Sequence, residues 1–163
     1  FENGLPFWED FDFEVDLMIE ESENKIDYFL NAGVRRMIFH WGTVKDLNAI
    51  IKKLSGIADT SIALDWGVPI SIIEPFLEKI DTAQIMGIKK IGFQGEPFEE
   101  TTIDKVAILR EKYPRLAISV DGGVNLTNAP RLIRAGATRL VVGSAIFESN
   151  DLKATIEKFK KLG

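Results

Sequence analysis

Residues 117–147, AISVDGGVNLTNAPRLIRAGATRLVVGSAIF, decide the fold of this chain. Two short apolar runs, AISV and RLVV, are each followed by glycine within two residues, and a helix-like stretch ending at Gly136 separates them. A strand, a helix and a second strand in this order are typical of a parallel βαβ unit, whose strands end at the same edge of the sheet. The pattern therefore places Asp121, at the end of the first run, near Gly143 and Ser144, which follow the second.

The same alternation of strand and helix continues through the chain. Apolar runs rich in Val, Ile and Phe alternate with longer amphipathic stretches. The predicted strands are residues 13–19, 35–40, 61–65, 82–88, 116–121 and 139–143, and the predicted helices are residues 22–32, 44–55, 69–79, 101–113, 126–135 and 150–162. Consecutive βα units predict a parallel sheet covered by helices, either a barrel or an open doubly wound sheet.

Chain length favours the barrel. Six units over residues 12–163 average about 25 residues each, whereas a barrel of eight units takes about 200–250 residues. We therefore predict an α/β fold of the (β/α)8 TIM-barrel type in a single domain, residues 1–163, with about six βα units, strands three to eight of the barrel. We expect the first two units to be absent. The chain begins on Phe1 without an initiator Met, so we expect a processed, trimmed or partial chain.

Composition narrows the class of protein. The chain has 163 residues, of which 45% are hydrophobic and 28% are charged, as in a globular domain. Its net charge of −5 argues against nucleic acid as a partner, because binding to a phosphate backbone needs a concentrated basic surface. Cysteine is absent, no apolar run could span a bilayer, and no signal-peptide pattern precedes the first strand. We predict a cytoplasmic protein with no nucleic-acid or membrane partner.

The glycines after the last two strands predict a phosphate site. In βα barrels the chemistry lies at the carboxyl ends of the strands, and phosphate is often held by the loops after strands seven and eight. Gly122, Gly123, Gly143 and Ser144 occupy these loops, where glycine lets backbone N–H groups approach an anion. For any single glycine, an ordinary tight turn is the alternative. Asp121 fits a base that removes a proton beside a carbonyl, a ligand of a divalent metal, or a turn aspartate.

These segments resemble the ribulose-phosphate 3-epimerase family over essentially the whole chain. SVDGGV (119–124) and AGATRLVVGSAIF (135–147) are similar to its seventh and eighth strands. GFQGEPF (92–98) resembles its phosphate-side loop after strand six, VDLMI (15–19) its third strand, and MIFH (37–40) the end of its fourth strand. The resemblance implies a barrel of the ribulose-phosphate-binding kind and epimerisation of ribulose 5-phosphate and xylulose 5-phosphate through a metal-stabilised enediolate.

The resemblance also implies roles for particular residues. Asp121 falls at the catalytic acid/base and metal-ligand position. Asp16 falls where the family has a histidine ligand, and its oxygens suit a hard divalent cation. The implied cofactor is therefore a divalent metal such as Zn, Fe, Mn or Co, held by Asp16 and Asp121. The implied contacts to the sugar phosphate are Gly92, Gly95, Met18, Met86 and His40, in addition to the glycine loops and Ser144.

Some of these assignments keep an alternative. His40, the only histidine, either contacts substrate and takes part in proton transfer or is structural. Asp65 and Trp66 end a predicted strand on the same face, where core packing is the simpler interpretation for Trp66. Glu96 stands where the family has a glutamine and would sit poorly beside a phosphate.

Departures from the family leave the activity open. The family's second Asp, one of its His ligands and a Ser lie on its first two strands, so this chain as printed is expected to lack two-base epimerisation. It would act as an isomerase if those strands were supplied. The alternatives are a non-catalytic sugar-phosphate-binding or scaffold barrel, and another phosphate-dependent barrel enzyme. We expect a small sugar phosphate as partner, and self-association into a homo-oligomer through the sheet edges.

Overall fold

A computed structural model describes residues 12–93 and 95–162 and contains one parallel sheet. Its strands are Glu14–Leu17 (β1), Arg36–His40 (β2), Asp59–Leu64 (β3), Thr82–Met86 (β4), Ala117–Asp121 (β5) and Arg139–Val141 (β6). They pair in the order β1-β2-β3-β4-β5-β6, each parallel to the next. A doubly wound sheet reverses its strand order partway, so this order confirms the barrel type of α/β fold. The predicted domain includes residues 1–11, Gln94 and Gly163, which lie outside the described residues.

Helices connect the strands, with one correction to the prediction. The helices are Ile26–Asn31 (α1), Leu47–Leu54 (α2), Thr101–Lys112 (α3), Ala129–Ala135 (α4), Ser144–Phe147 (α5) and Leu152–Lys160 (α6). The predicted helix 69–79 is wrong, because this segment forms two 3-10 turns, Ile70–Ile72 and Glu74–Phe76. Pro75 explains the difference, since its ring clashes with the carbonyl four residues earlier and it has no N–H to donate. Among the described residues, no helix has the length and apolarity needed to cross a bilayer.

The two faces of the sheet have different compositions because successive side chains in a strand point to opposite sides. The face toward the helices is apolar and fully buried, and each such side chain contributes about 1.5–3 kcal/mol on burial. Its central residues are Met37, Phe39, Ile62, Leu64, Ile85, Ile118 and Val120. On the inner face, Ile38, Ala63 and Met86 form a small separate apolar cluster, and polar residues fill most of the remaining positions. The main hydrophobic core therefore lies between the outer face of the sheet and the helices, and the polar side chains lie on the inner face.

Ion pairs on the inner face show that the sheet is curled. Glu14 on β1 accepts hydrogen bonds from Arg36 at 3.3 Å and from Arg139 on β6 at 3.0 Å. Arg36 also donates to Asp59 at 2.8 Å. The first and last strands of the described sheet thus contact each other across its concave side. The result is a partial barrel whose interior opens at the carboxyl ends of the strands.

Candidate functional site

The backbone of the loop after β5 strongly favours glycine at two positions. Gly122 and Gly123 have φ values of 97° and 67°, which L-residues with a side chain rarely adopt. A Cβ on Gly122 would lie 2.7 Å from Cγ1 of Ile88, and one on Gly123 would lie 2.9 Å from Cα of Phe98. The backbone after Asp121 therefore packs directly against the segment that follows β4. The loop after β5 and the segment after β4 thus form one wall of the site.

Two asparagines hold this loop in place. The side-chain amides of Asn128 and Asn125 donate to the carbonyl of Gly123 at 2.9 and 3.2 Å. The backbone N–H of Asn125 in turn donates to Oδ1 of Asn128 at 2.8 Å. The sequence prediction missed both residues. The signal was the run NLTN, residues 125–128, one residue after the glycines, because asparagine side chains commonly form hydrogen bonds with the backbone of turns.

A pocket of about 330 Å³ opens at this edge of the sheet. It brings together nine of the predicted site residues: Met18, Met86, Gly92, Gly95, Asp121, Gly122, Gly123, Gly143 and Ser144. Among the described residues that line it, Asp121 and Glu96 carry charge, and both are acidic. A larger pocket of about 500 Å³ lies at the opposite ends of the strands, around Arg35, Asp59 and Asp81, and contains none of the predicted site residues.

Asp121 is a carboxylate of this pocket that can act as a base. It ends β5, where the strand gives way to the glycine loop, and is partly buried. Burial raises the pKa of its carboxyl group, and the nearby charge of Asp16 raises that pKa further. The backbone N–H of Gly122 and the charge of His40 lower the pKa, but by less. A raised pKa makes this carboxylate a stronger base than an ordinary aspartate, which suits it to take a proton from a substrate.

His40 lies beneath the pocket lining, between two carboxylates. Its ring is fully buried, with Nε2 at 2.9 Å from Oδ1 of Asp16 and Nδ1 at 3.2 Å from Oδ1 of Asp65. Burial alone would lower the pKa of the imidazole, but the hydrogen bonds and charges of Asp16 and Asp65 together raise it. The pair of acceptors therefore favours the doubly protonated ring, which donates to both.

Asp16 also has a partner for its second oxygen. The side-chain amide of Gln84 donates to Oδ2 of Asp16 at 3.0 Å, and Oε1 of Gln84 accepts from the hydroxyl of Ser119 at 3.3 Å. The sequence prediction missed Gln84. Its signal was the alternation in β4, because Gln84 shares the inner face with Met86 although the strand is buried on both sides.

The described residues do not form a site for the implied divalent metal. They contain no group of three or more His, Cys, Asp or Glu side chains arranged to hold a metal ion. Both oxygens of Asp16 accept a hydrogen bond, one from His40 and one from Gln84, so a metal ion would compete with these two donors for the carboxylate. The two implied ligands, Asp16 and Asp121, lie near enough for the charge of Asp16 to raise the pKa of Asp121.

Trp66 lies at the rim of the site and not in the core. Its indole N–H donates to Thr101 at 3.0 Å, and the ammonium group of Lys89 lies 4.6 Å from the centre of its ring. Lys89 also pairs with Glu99 at 3.0 Å. These contacts fasten the base of the loop after β4 to the end of β3.

The sequential parallel sheet, with its pocket at the carboxyl edge, makes this chain a TIM-barrel protein. Solved structures agree: it superposes on KGPDC from Streptococcus mutans with a TM-score of 0.75, at 16% identity, over 95% of this chain and 73% of that one. The chain belongs to the ribulose-phosphate 3-epimerase family, whose model matches residues 4–147.

Curated relatives agree with this assignment. The chain is 32% identical over 150 residues to the ribulose-phosphate 3-epimerase of Eremothecium gossypii, covering 91% of this chain and 62% of that protein. It is 34% identical over 158 residues to the chloroplastic ribulose-5-phosphate-3-epimerase of Arabidopsis thaliana, covering 93% of this chain and 56% of that protein. The chain therefore spans about three fifths of the length of these relatives.

Proposed function

We propose that this chain binds a pentulose 5-phosphate in the pocket beside β5 and exchanges the proton on carbon 3 of that sugar. This is one half of the interconversion of ribulose 5-phosphate and xylulose 5-phosphate. The observation that carries the proposal is the position of Asp121, a carboxyl group of raised pKa in a pocket walled by glycine loops. Family membership supports the choice of substrate.

Proton exchange at carbon 3 needs one base, and Asp121 supplies it. The carboxylate of Asp121 takes the proton from carbon 3, and the electron pair of the broken C–H bond forms the double bond of an enediolate as the carbonyl oxygen on carbon 2 becomes an oxyanion. Reversal of the step returns a proton from Asp121 to carbon 3. Inversion requires an acid on the opposite face, and the Asp that the resemblance assigns to this role is not among the described residues.

The phosphate would lie against the glycine loops. Their backbone N–H groups supply donors, and the first N–H groups of α5, at Ser144 and Ala145, have no partner within their own helix. Gly92 and Gly95, in the segment after β4, have positive φ values and open space around them. Met18 and Met86 supply apolar contacts for the carbon chain of the sugar.

The proposal is tested by incubating the chain with ribulose 5-phosphate in deuterated water and following the carbon 3 proton by NMR. We expect this signal to fade with the chain present, and Asp121→Asn to slow the loss by about 10²–10⁴-fold, because an amide cannot take the proton. Asp104→Asn is the matched control, since Asp104 is exposed on α3. Equal exchange rates in Asp121→Asn and the parent chain would show that the base is elsewhere.

A second candidate function is binding of the sugar phosphate without turnover. The state of Asp16 favours it, because both of its oxygens are already hydrogen-bonded and the described residues form no cluster suited to hold a metal beside an enediolate. This alternative predicts that ribulose 5-phosphate binds with micromolar or millimolar affinity while its carbon 3 proton is retained. The cytoplasmic location and the homo-oligomer stay predictions, and one relative is named as chloroplastic.

A further inference from the structure

Five polar side chains form one hydrogen-bonded chain across the inner face of the sheet. This network consists of Ser119 on β5, Gln84 on β4, Asp16 on β1, His40 on β2 and Asp65 at the end of β3. Its contacts measure 3.3, 3.0, 2.9 and 3.2 Å in that order. Ser119, Gln84 and His40 are each 1% exposed, whereas the side chains of Asp16 and Asp65 are 23% and 43% exposed, so the three donors of the network are shielded from water. The network connects the strand of Asp121 with the opposite edge of the sheet.

Chemistry fixes the direction of each bond in this network. Asp16, when ionised, can only accept, so the groups facing its two oxygens must donate. The amide nitrogen of Gln84 therefore faces Asp16, and its carbonyl oxygen faces the hydroxyl of Ser119, as the structure shows. A flipped amide would place two oxygen acceptors 3.0 Å apart. Gln84 consequently has one stable orientation, and in that orientation it occupies the oxygen of Asp16 that His40 leaves free.

We propose that Gln84 is a positioning residue that holds Asp16 as the hydrogen-bond partner of His40 and thereby prevents this carboxylate from binding a divalent cation. A cation at Asp16 would compete with the amide of Gln84 and the imidazole of His40 for this carboxylate, and loss of either contact would leave a buried donor unpaired. The inference deepens the site on which the proposed function rests. Its test uses the metal alone, without sugar phosphate, so the two proposals fail separately.

The single histidine makes the test direct. In the ¹⁵N-labelled chain, a long-range ¹⁵N–¹H spectrum contains one imidazole, that of His40. Paramagnetic Mn²⁺ bound at Asp16 would broaden its signals strongly, because Nε2 lies 2.9 Å from the carboxylate. We expect no selective broadening at millimolar Mn²⁺, with the backbone amides of α6 as the reference for non-specific binding. Selective broadening at micromolar Mn²⁺ that Asp16→Asn abolishes would overturn the proposal.

Gln84→Glu is the informative variant, because it replaces the donor facing Asp16 with a second carboxylate of nearly the same shape. We expect this variant to show selective broadening of His40 at Mn²⁺ concentrations at least tenfold lower than those that affect the parent chain. An unchanged response would overturn the proposed role of Gln84. Should this variant fail to fold, Gln84→Met removes the donor without adding charge. It should shift the ring N–H signal of His40, and an unshifted signal would equally overturn the role.

Discussion

Oε2 of Glu14 lies 3.0 Å from Nη1 of Arg139, although 125 residues separate the two along the chain. They stand on the first and last strands of the described sheet, so their ion pair joins its two edges from within. The helices cover the outer face and cannot make this connection. The ion pair on the inner face therefore stabilises the curvature of the sheet, and this curvature brings the site residues together at one edge.

This ion pair should contribute measurably but modestly to stability. The side chains of Glu14 and Arg139 are 29% and 34% exposed, so solvent screens part of their attraction. A double-mutant cycle with Glu14→Gln and Arg139→Gln should give a coupling free energy of about 0.5–1 kcal/mol, reduced by added salt. Urea unfolding of the four proteins measures it. The exposed pair of Glu157 and Lys160 on α6 is the control. A coupling free energy no larger than that of the control would show that the Glu14–Arg139 pair does not stabilise the contact between β1 and β6.

Replacing Gly123 separates the effect of close packing from that of backbone strain. Gly123→Ala combines a positive φ with a Cβ only 2.9 Å from Phe98, and should cost about 2–4 kcal/mol. Gly56→Ala is the matched control, because Gly56 also has a positive φ but open space around its Cβ position. We expect it to cost about 1–2 kcal/mol. Denaturant titrations give both values, and equal losses would show that the contact with Phe98 yields freely.

Glu96 should weaken phosphate binding. It and Asp121 are the charged residues among those described around the pocket, and a phosphate there would meet two negative charges. Glu96→Gln should therefore raise the affinity for inorganic phosphate and for ribulose 5-phosphate by about tenfold, the effect of one charge several ångströms away. Calorimetric titration measures this. Glu111→Gln, on the exposed end of α3, controls for net charge, and an equal gain there would mean that the effect is not local.

The stability of the chain should fall as the pH rises through the pKa of His40. The folded state raises that pKa above its ordinary value of 6.5, so the folded chain holds the proton more tightly than the unfolded chain. The resulting stabilisation is complete below pH 6.5 and is lost as the pH passes the raised pKa. The unfolding free energy of the parent chain should therefore decline with pH relative to that of His40→Gln. Parallel curves between about pH 6 and pH 9 would contradict the shift.

The sequence was a good guide to this fold where local patterns decide the structure. All six strands lie at their predicted places, because short apolar runs that alternate with longer amphipathic stretches are the pattern of a βα repeat. The predicted helix 69–79 was wrong because the prediction rested on amphipathic spacing, and Pro75 interrupts a helix within that segment. Helix α5 was not predicted at all, since four residues after a glycine carry no periodic signal.

The site was predictable in its loops and unpredictable in its polar interior. Glycines at the strand ends could be recognised in the sequence because barrel enzymes bind phosphate in the loops after their last strands. In the structure these glycines line one pocket. The partners of Asp16 were not visible, because the distance from Asp16 to Gln84 spans 68 residues and three strand positions. Only the curl of the sheet brings those side chains together. The glycines thus indicated where the site is, and the tertiary structure was needed to show how its carboxylates are paired.

The division of the sheet into an apolar outer face and a polar inner face bears on how such a chain can evolve. Because the helices pack only against the outer face of the sheet, substitutions at Asp16, Gln84 or Ser119 leave the main hydrophobic core intact. Residues on the inner face can therefore be substituted, and the activity changed, while selection for folding acts on the residues of the outer face. A library randomised at these three positions should yield many folded members and few active ones, which makes this scaffold a starting point for new reactions.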